Sequence, residues 1–174
     1  MKFLHISDLH IGKYVNGYRM LDDQRYMLER IVEIIKEKNP DALMIAGDIY
    51  DKSLPSAEAV ELFNSFMTEI AGLHGKTGLK TFVISGNHDS PERIGYFNKL
   101  IELNGIFTDG VFEGVARKNT VECDGEKVNI FSLPFIRPSF VRNIPKNRLK
   151  LPTIQLLSGW CLNIPISIPM KPIF

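Results

Sequence analysis

The sequence predicts an α/β fold in which a mainly parallel sheet is flanked by helices. Three short, mostly apolar runs, at residues 2–7, 42–47 and 81–85, are typical of buried strands. Segments with helical apolar spacing lie between them, and the resulting β-α-β-α-β-α order requires crossover connections between parallel strands. The chain has 174 residues, 44% of them hydrophobic, which is long enough for one domain with a core.

The three predicted helices have recognisable ends. The first spans residues 19–39, where apolar residues recur at helical spacing, and Pro40 ends it. Ser56 can cap the second, which should stop before a loop at 72–78 that contains three glycines. The third opens at a Ser-Pro pair and spans about 91–104.

A hairpin is predicted beyond the third helix. Residues 119–124 and 126–133 alternate in polarity on either side of Asp124 and Gly125. An Asp-Gly pair between two such runs is typical of a tight hairpin turn.

The net charge of +1 conceals an asymmetry along the chain. Residues 1–126 carry a net charge of −6, whereas residues 127–174 carry +7 and hold seven of the ten prolines. The basic segment is either an arm for nucleic acid or a segment whose origin or fold differs from the rest.

Composition also argues against several classes of protein. No apolar run approaches the roughly 18 residues that cross a bilayer, so we expect no membrane association. The polar residues in the first ten positions argue against a signal peptide. Cys123 and Cys161 match no metal or disulfide pattern. A cytoplasmic location is the simplest expectation.

Polar residues with metal-binding chemistry follow all three predicted strands. They are Asp8 and His10, then Asp48 and Asp51, then Asn87, His88 and Asp89. In an open α/β sheet, ligands bind beyond the carboxyl ends of the strands. Carboxylate and imidazole groups together suit a divalent transition metal, so we predict a metal site at this edge.

Each of these residues also has a plainer interpretation. The aspartates could cap turns, and His10 could be a polar surface residue. The combination of three strand-end motifs favours the metal site over these alternatives. Two other histidines should lie outside it, with His5 structural in the first strand and His74 solvated in a glycine-rich loop.

The motifs DLH, GDIYD and GNHD resemble those of the calcineurin-like metallophosphoesterases. The residues around them, with LPFIRP at residues 133–138, are similar to the SbcD-type DNA nuclease subunits within that family. The resemblance covers about residues 1–145. It implies β-sheet layers flanked by helices, here an incomplete four-layer sandwich. Residues 1–146 would be the N-terminal part of the nuclease domain, and 147–174 an atypical tail.

The resemblance also implies roles for the motif residues. The implied metal ligands are Asp8, His10, Asp48 and Asn87. Asp48 would bridge two divalent ions, usually Mn²⁺. His88 would be the catalytic histidine, with Asp89 orienting it, and Asp51 would support the ligands. The reaction would be hydrolysis of a DNA phosphodiester by metal-activated hydroxide.

The sequence departs from the family after His88. The family's GH and GH-x-H motifs, which supply three more ligands, have no counterpart, since no histidine follows position 88. The segment 147–174 resembles a truncated or frame-shifted end. We therefore expect weak or no activity from this polypeptide by itself. Alternatives are a phosphatase or nucleotide phosphodiesterase of the same superfamily, or a non-catalytic remnant that binds DNA or a partner.

The resemblance implies partners as well. These are DNA, an SbcC-type ATPase subunit with a long coiled coil, and a second copy of the chain in a homodimer. Candidate DNA contacts near the motifs are Lys13, Lys52 and Arg137.

Overall fold

The computed structural model describes residues 1–96 and 98–137. The strands are, in chain order, β1 (Phe3–Ile6), β2 (Tyr14–Val15), β3 (Tyr18–Arg19), β4 (Ala42–Ala46), β5 (Lys80–Ile84), β6 (Ile106–Asp109), β7 (Arg117–Cys123) and β8 (Glu126–Ser132). The helices are α1 (Leu21–Lys38), α2 (Ala57–Thr77), α3 (Pro91–Ile94) and α4 (Asn98–Ile101), and a 3₁₀ turn follows at Glu102–Asn104.

The centre of the fold is a parallel four-stranded sheet in the order β1-β4-β5-β6. Each new strand is added on the same side, so right-handed crossovers place the connecting helices on one face. Leu43 and Ile45 of β4 point into the core on that face, together with Leu28 of α1 and Phe66 of α2. The predicted α/β class is confirmed.

The β7–β8 hairpin covers the opposite face of the sheet. Met44 and Phe82 of the sheet are buried there against Val121 and Ile130 of the hairpin. Its turn lies at the predicted Asp-Gly pair, where both residues have positive φ. The described residues therefore form three layers: helices, parallel sheet and hairpin.

The glycines at 72 and 75 lie inside α2, which corrects the predicted loop at 72–78. The helix continues because Leu73 is buried in the core, and this burial offsets the roughly 1 kcal/mol that each glycine costs a helix. Gly78, with φ of 77°, ends the helix instead.

The prediction that His74 lies in a solvated loop is wrong, because His74 lies in the last turn of α2. Its Nδ1 lies 2.8 Å from the carbonyl oxygen of Leu79. It also packs so closely on Gly105 that a Cβ there would lie 2.2 Å from Nδ1. His5 lies in β1, as predicted, on its exposed side.

The region after Pro91 also differs from the prediction. Instead of one helix to residue 104, the structure has α3, α4 and the 3₁₀ turn, followed by the unpredicted strand β6. A short β2–β3 hairpin, turning at Asn16 and Gly17, was not predicted either. The boundary predicted at 146 and Cys161 lie outside the described residues. None of the helices in the described ranges is both long and apolar enough to cross a membrane.

The Cys123 thiol offers a test of how the hairpin meets the sheet. A hydrogen bond to the Asp41 carboxylate, aided by desolvation and Asp124, raises the pKa of Cys123 from 9.0 to about 11. The folded protein therefore holds this proton more tightly than the unfolded chain. The resulting stability should be present below pH 9 and be lost as the pH approaches 11.

We expect the ¹³Cβ chemical shift of Cys123, measured by NMR in a Cys161→Ser background, to titrate well above pH 9. Asp41→Asn should lower the midpoint toward 9, and Asp23→Asn, at an exposed position in α1, is the control. An unshifted Cys123 midpoint would contradict the contact.

Candidate metal centre

The loops after β1 and β4 are joined by backbone hydrogen bonds. Asp8 N–H donates to the Gly47 carbonyl at 3.1 Å, and His10 N–H donates to the Asp48 carbonyl at 2.9 Å. Ile11 continues this pairing by donating to the Ile49 carbonyl at 2.8 Å. The first two predicted motifs are thereby fixed side by side at the carboxyl edge of the sheet.

Glycines allow the loop after β5 to approach the same place. A Cβ on Gly86 would lie 2.1 Å from Asp48 Oδ1 and 2.2 Å from Asp48 N. Gly47, with φ of 83°, faces Gly86 in turn, and a Cβ there would lie 2.8 Å from the Gly86 Cα. Only residues without a side chain permit this contact.

Three of the predicted ligands have left-handed backbone conformations. The φ angles are 56° at Asp8, 42° at His10 and 49° at Asp48. Such a conformation costs a non-glycine residue about 1–2 kcal/mol, and residues of this kind concentrate at functional sites. Three such residues at one edge of the sheet mark it as a candidate functional site.

The side chains of His10, Asp48 and His88 converge. One ligand atom from each lies within 4.8 Å of the others. His10 Nε2 lies 3.9 Å from both Asp8 Oδ1 and Asp48 Oδ2. Ligand atoms around one ion are about 3–4 Å apart when the bonds are near 2.1 Å, so a small closure suffices. His10 and Asp48, with Asp8 beside them, offer the imidazole and carboxylate groups that fit a divalent transition metal, and His88 lies next to them.

The two nitrogens of His10 have different surroundings. Nδ1 is buried and has no hydrogen-bond partner among the described residues. It lies 3.8 Å from Asp51 Oδ1. Nε2 faces the carboxylates of Asp8 and Asp48. A proton on Nδ1, facing Asp51, leaves Nε2 as the ligand atom.

Asp51 also positions the ring of His88. His88 Nδ1 lies 2.9 Å from the Asp51 carbonyl oxygen, and the His88 backbone N–H donates to Asp48 Oδ1 at 2.9 Å. The two histidine rings meet edge to face, with 4.8 Å between centroids. Asn87 is exposed beside them. Its backbone carbonyl, not its side-chain amide, accepts a hydrogen bond from the Arg137 guanidinium at 3.4 Å.

Asp89 is 1% exposed and its carboxylate is bound to backbone. Oδ2 accepts from the N–H groups of Gly86 at 2.8 Å and Ile49 at 3.2 Å, and Oδ1 accepts from Tyr50 N–H at 3.0 Å. The orienting contact to His88 thus comes from the Asp51 carbonyl, whereas Asp89 joins the loops after β4 and β5. Burial, with a smaller contribution from Asp89, raises the pKa of the Tyr50 phenol to about 12.

Comparison with known proteins agrees with this geometry. The family model for Calcineurin-like phosphoesterase matches residues 1–159. The chain belongs to this family. It is also similar to the SbcD subunit of the SbcCD nuclease from Staphylococcus epidermidis (strain ATCC 12228 / FDA PCI 1200), with 36% identity over 162 residues. That alignment covers 93% of this chain and 41% of the relative, so the chain spans less than half the relative's length.

The sequence analysis did not identify one residue that holds the loop carrying the predicted ligand His10. Gln24 is buried on the inner face of α1. Its Oε1 accepts from Gly12 N–H at 2.9 Å, and its Nε2 donates to the carbonyls of Leu9 and His10. The available signal was a polar residue in the apolar stripe between Leu21 and Leu28.

Gly86→Ala should damage the candidate metal centre. The added methyl would meet Asp48 backbone and carboxylate at about 2 Å, so one loop must move, at about 1–3 kcal/mol. We expect a lower unfolding midpoint and weakened Mn²⁺ binding by calorimetry. Gly72→Ala is the matched control, because nothing lies within 4 Å of its Cβ position, and it should stabilise α2 by about 1 kcal/mol. Equal unfolding midpoints and equal Mn²⁺ affinities in the two variants would refute the close approach of Gly86 to Asp48.

Proposed function

We propose that the chain carries the N-terminal part of the catalytic domain of an SbcD-type, metal-dependent DNA nuclease. The convergence of His10, Asp48 and His88 at the carboxyl edge of the sheet carries the proposal. The similarity to a nuclease subunit supports DNA, rather than a phosphoprotein or a free nucleotide, as the substrate.

Each predicted site residue has a role in this proposal. The proposed metal ligands are Asp8, His10, Asp48 and Asn87. Two bound divalent ions, which we propose to be Mn²⁺, would supply an activated water and neutralise charge on the phosphate. Asp48 has two carboxylate oxygens and can serve both ions. Its burial, with 12% of the side chain exposed, holds the carboxylate in place.

His88 is the proposed proton donor to the leaving oxygen. A carbonyl oxygen only accepts hydrogen bonds, so the contact with the Asp51 carbonyl places a proton on His88 Nδ1. Nε2 is then the nitrogen that exchanges a proton with the substrate. Asp89, which sequence resemblance paired with His88, supports it through the backbone of the loop.

The remaining partners are also proposals. Lys13 and Lys52 are exposed beside the two ligand loops and would contact DNA phosphates, as would Arg137. The resemblance supports assembly with an SbcC-type ATPase, a homodimer, and a cytoplasmic location where DNA is available.

The substrate class can be tested by offering duplex DNA and p-nitrophenyl phosphate side by side, with Mn²⁺ or with EDTA. A nuclease cleaves only the DNA, and only with Mn²⁺. Preferential release of p-nitrophenol would instead establish a phosphatase. Binding of DNA that survives EDTA, falls steeply with salt and is not followed by cleavage would establish a non-catalytic binding protein.

For the 174-residue polypeptide we further propose that one ion is held firmly and a second weakly. The family's later histidine motifs are not among these residues, and fewer imidazole ligands lower the affinity for transition metals. Calorimetric titration with Mn²⁺ should give one strong step, and weak cleavage should follow. Two equally strong steps with robust cleavage would overturn this proposal.

A further inference from the structure

A cleft of about 210 Å³ lies against the loop that carries Asn87 and His88. One wall is formed by Gly86 and Ser90 of that loop, and another by Val111 after β6. A third side is formed by Phe135, Ile136 and Arg137. None of the proposed metal ligands lines the cleft, so it is a separate space beside the metal centre.

The size and lining of the cleft restrict what it can hold. Pockets for drug-sized ligands start at about 300 Å³, so this one has room for a single small ring system. Pro91, Val111 and Phe135 give it apolar walls. Ser90 and Glu92 add a polar edge, and the Ser90 hydroxyl donates to Glu92 Oε2 at 3.1 Å.

The charges around the cleft favour an anion at one end only. Arg137 lines the cleft and also donates an N–H to the Asn87 carbonyl, which ties it to the metal-ligand loop. Within the described ranges, no carboxylate pairs with Arg137. The Glu92 carboxylate repels a phosphate from the cleft itself. A phosphate is therefore favoured near Arg137 and the metal centre, with an uncharged group in the cleft.

We propose that this cleft binds the base of one nucleotide of the DNA strand, next to the phosphate held at the metal centre. The inference rests on the proposed function and adds a substrate-positioning subsite to it. The base lies between the apolar walls, Ser90 and Glu92 face its polar edge, and Arg137 contacts the phosphate.

The binding test uses the isotope-labelled full chain, Mg²⁺, and two probes followed by amide chemical shifts. Thymidine 5′-monophosphate carries a base, and 2-deoxyribose 5-phosphate does not. Base stacking contributes about 1–3 kcal/mol, so the nucleotide should bind about tenfold more tightly. It should shift the amides of Ser90, Val111 and Ile136, which line the cleft.

Val111→Trp fills the cleft and should remove this tenfold preference. Val115→Trp is the matched control, because Val115 is similarly exposed but does not line the cleft. Arg137→Ala should weaken both probes to the same extent, because both carry the phosphate. Equal affinities for the two probes, or an undiminished preference in Val111→Trp, would overturn the proposal.

A second arm separates failure of the subsite from failure of the nuclease. With Mn²⁺, methyl p-nitrophenyl phosphate and thymidine 5′-(p-nitrophenyl phosphate) are phosphodiesters with the same leaving group, without and with a nucleoside. Hydrolysis of both at equal kcat/KM would retain the phosphodiesterase and reject the subsite. If neither is hydrolysed, the nuclease proposal fails for this polypeptide, and the titration still decides whether the cleft binds a nucleoside.

Discussion

Asp48→Asn is expected to lower Mn²⁺ affinity by about a hundredfold or more, since even residues behind metal ligands contribute ten- to a hundredfold. The variant keeps an oxygen that can accept the His88 N–H, which Asp48 Oδ1 accepts at 2.9 Å. It loses the negative charge beside His10 Nε2. The fold should therefore survive while metal binding and hydrolysis are lost.

Calorimetric titration with Mn²⁺, together with a thermal unfolding curve, measures both effects. Asp22→Asn is the matched control, because Asp22 is an exposed carboxylate in the first turn of α1. A Mn²⁺ affinity that is unchanged in Asp48→Asn would remove Asp48 from the metal centre.

Asp89→Asn is expected to lower the free energy of unfolding by about 2–4 kcal/mol. The carboxylate accepts from three backbone N–H groups and is almost fully buried. Asparagine has one acceptor oxygen, and its amide nitrogen would face an N–H donor. At least one buried donor is then left without a partner.

Urea unfolding measures this loss, with Glu61→Gln on the exposed side of α2 as the control. A variant with unchanged stability but lost hydrolysis would show instead that Asp89 acts in catalysis, as the resemblance to the family implied. If Asp89→Asn loses both stability and hydrolysis, and binds the metal again at low temperature, the result supports the role of Asp89 in joining the loops after β4 and β5.

The general location of the site was predictable from particular residues. Asp8, Asp48 and Asn87 each follow an apolar run, and parallel strands bring their carboxyl ends to one edge. The hairpin at Asp124 and Gly125 was predictable because few other residue pairs adopt positive φ together.

Other features were not predictable because they depend on distant partners. The glycines at 72 and 75 suggested a loop, but burial of Leu73 keeps them in α2. The strand β6 is short, and its place in the sheet depends on pairing with β5. In the sequence, Gln24 only interrupts an apolar stripe. Its role depends on the loop after β1, whose carbonyls accept hydrogen bonds from its side chain.

The amino-acid sequence was enough to predict the family, the strands β1, β4 and β5 with the helices between them, and the edge of the sheet at which the motif residues gather. Local apolar patterns and short motifs carry that information, because they depend on neighbours in the chain. The contact of the Asp51 carbonyl with His88, and the hydrogen bonds of Asp89 to the backbone of two loops, became visible in the three-dimensional structure alone. The contacts from Ile49 to Asp89 and from His88 to Asp51 join residues about 40 positions apart, and a hydrogen bond over such a separation depends on how the loops pack.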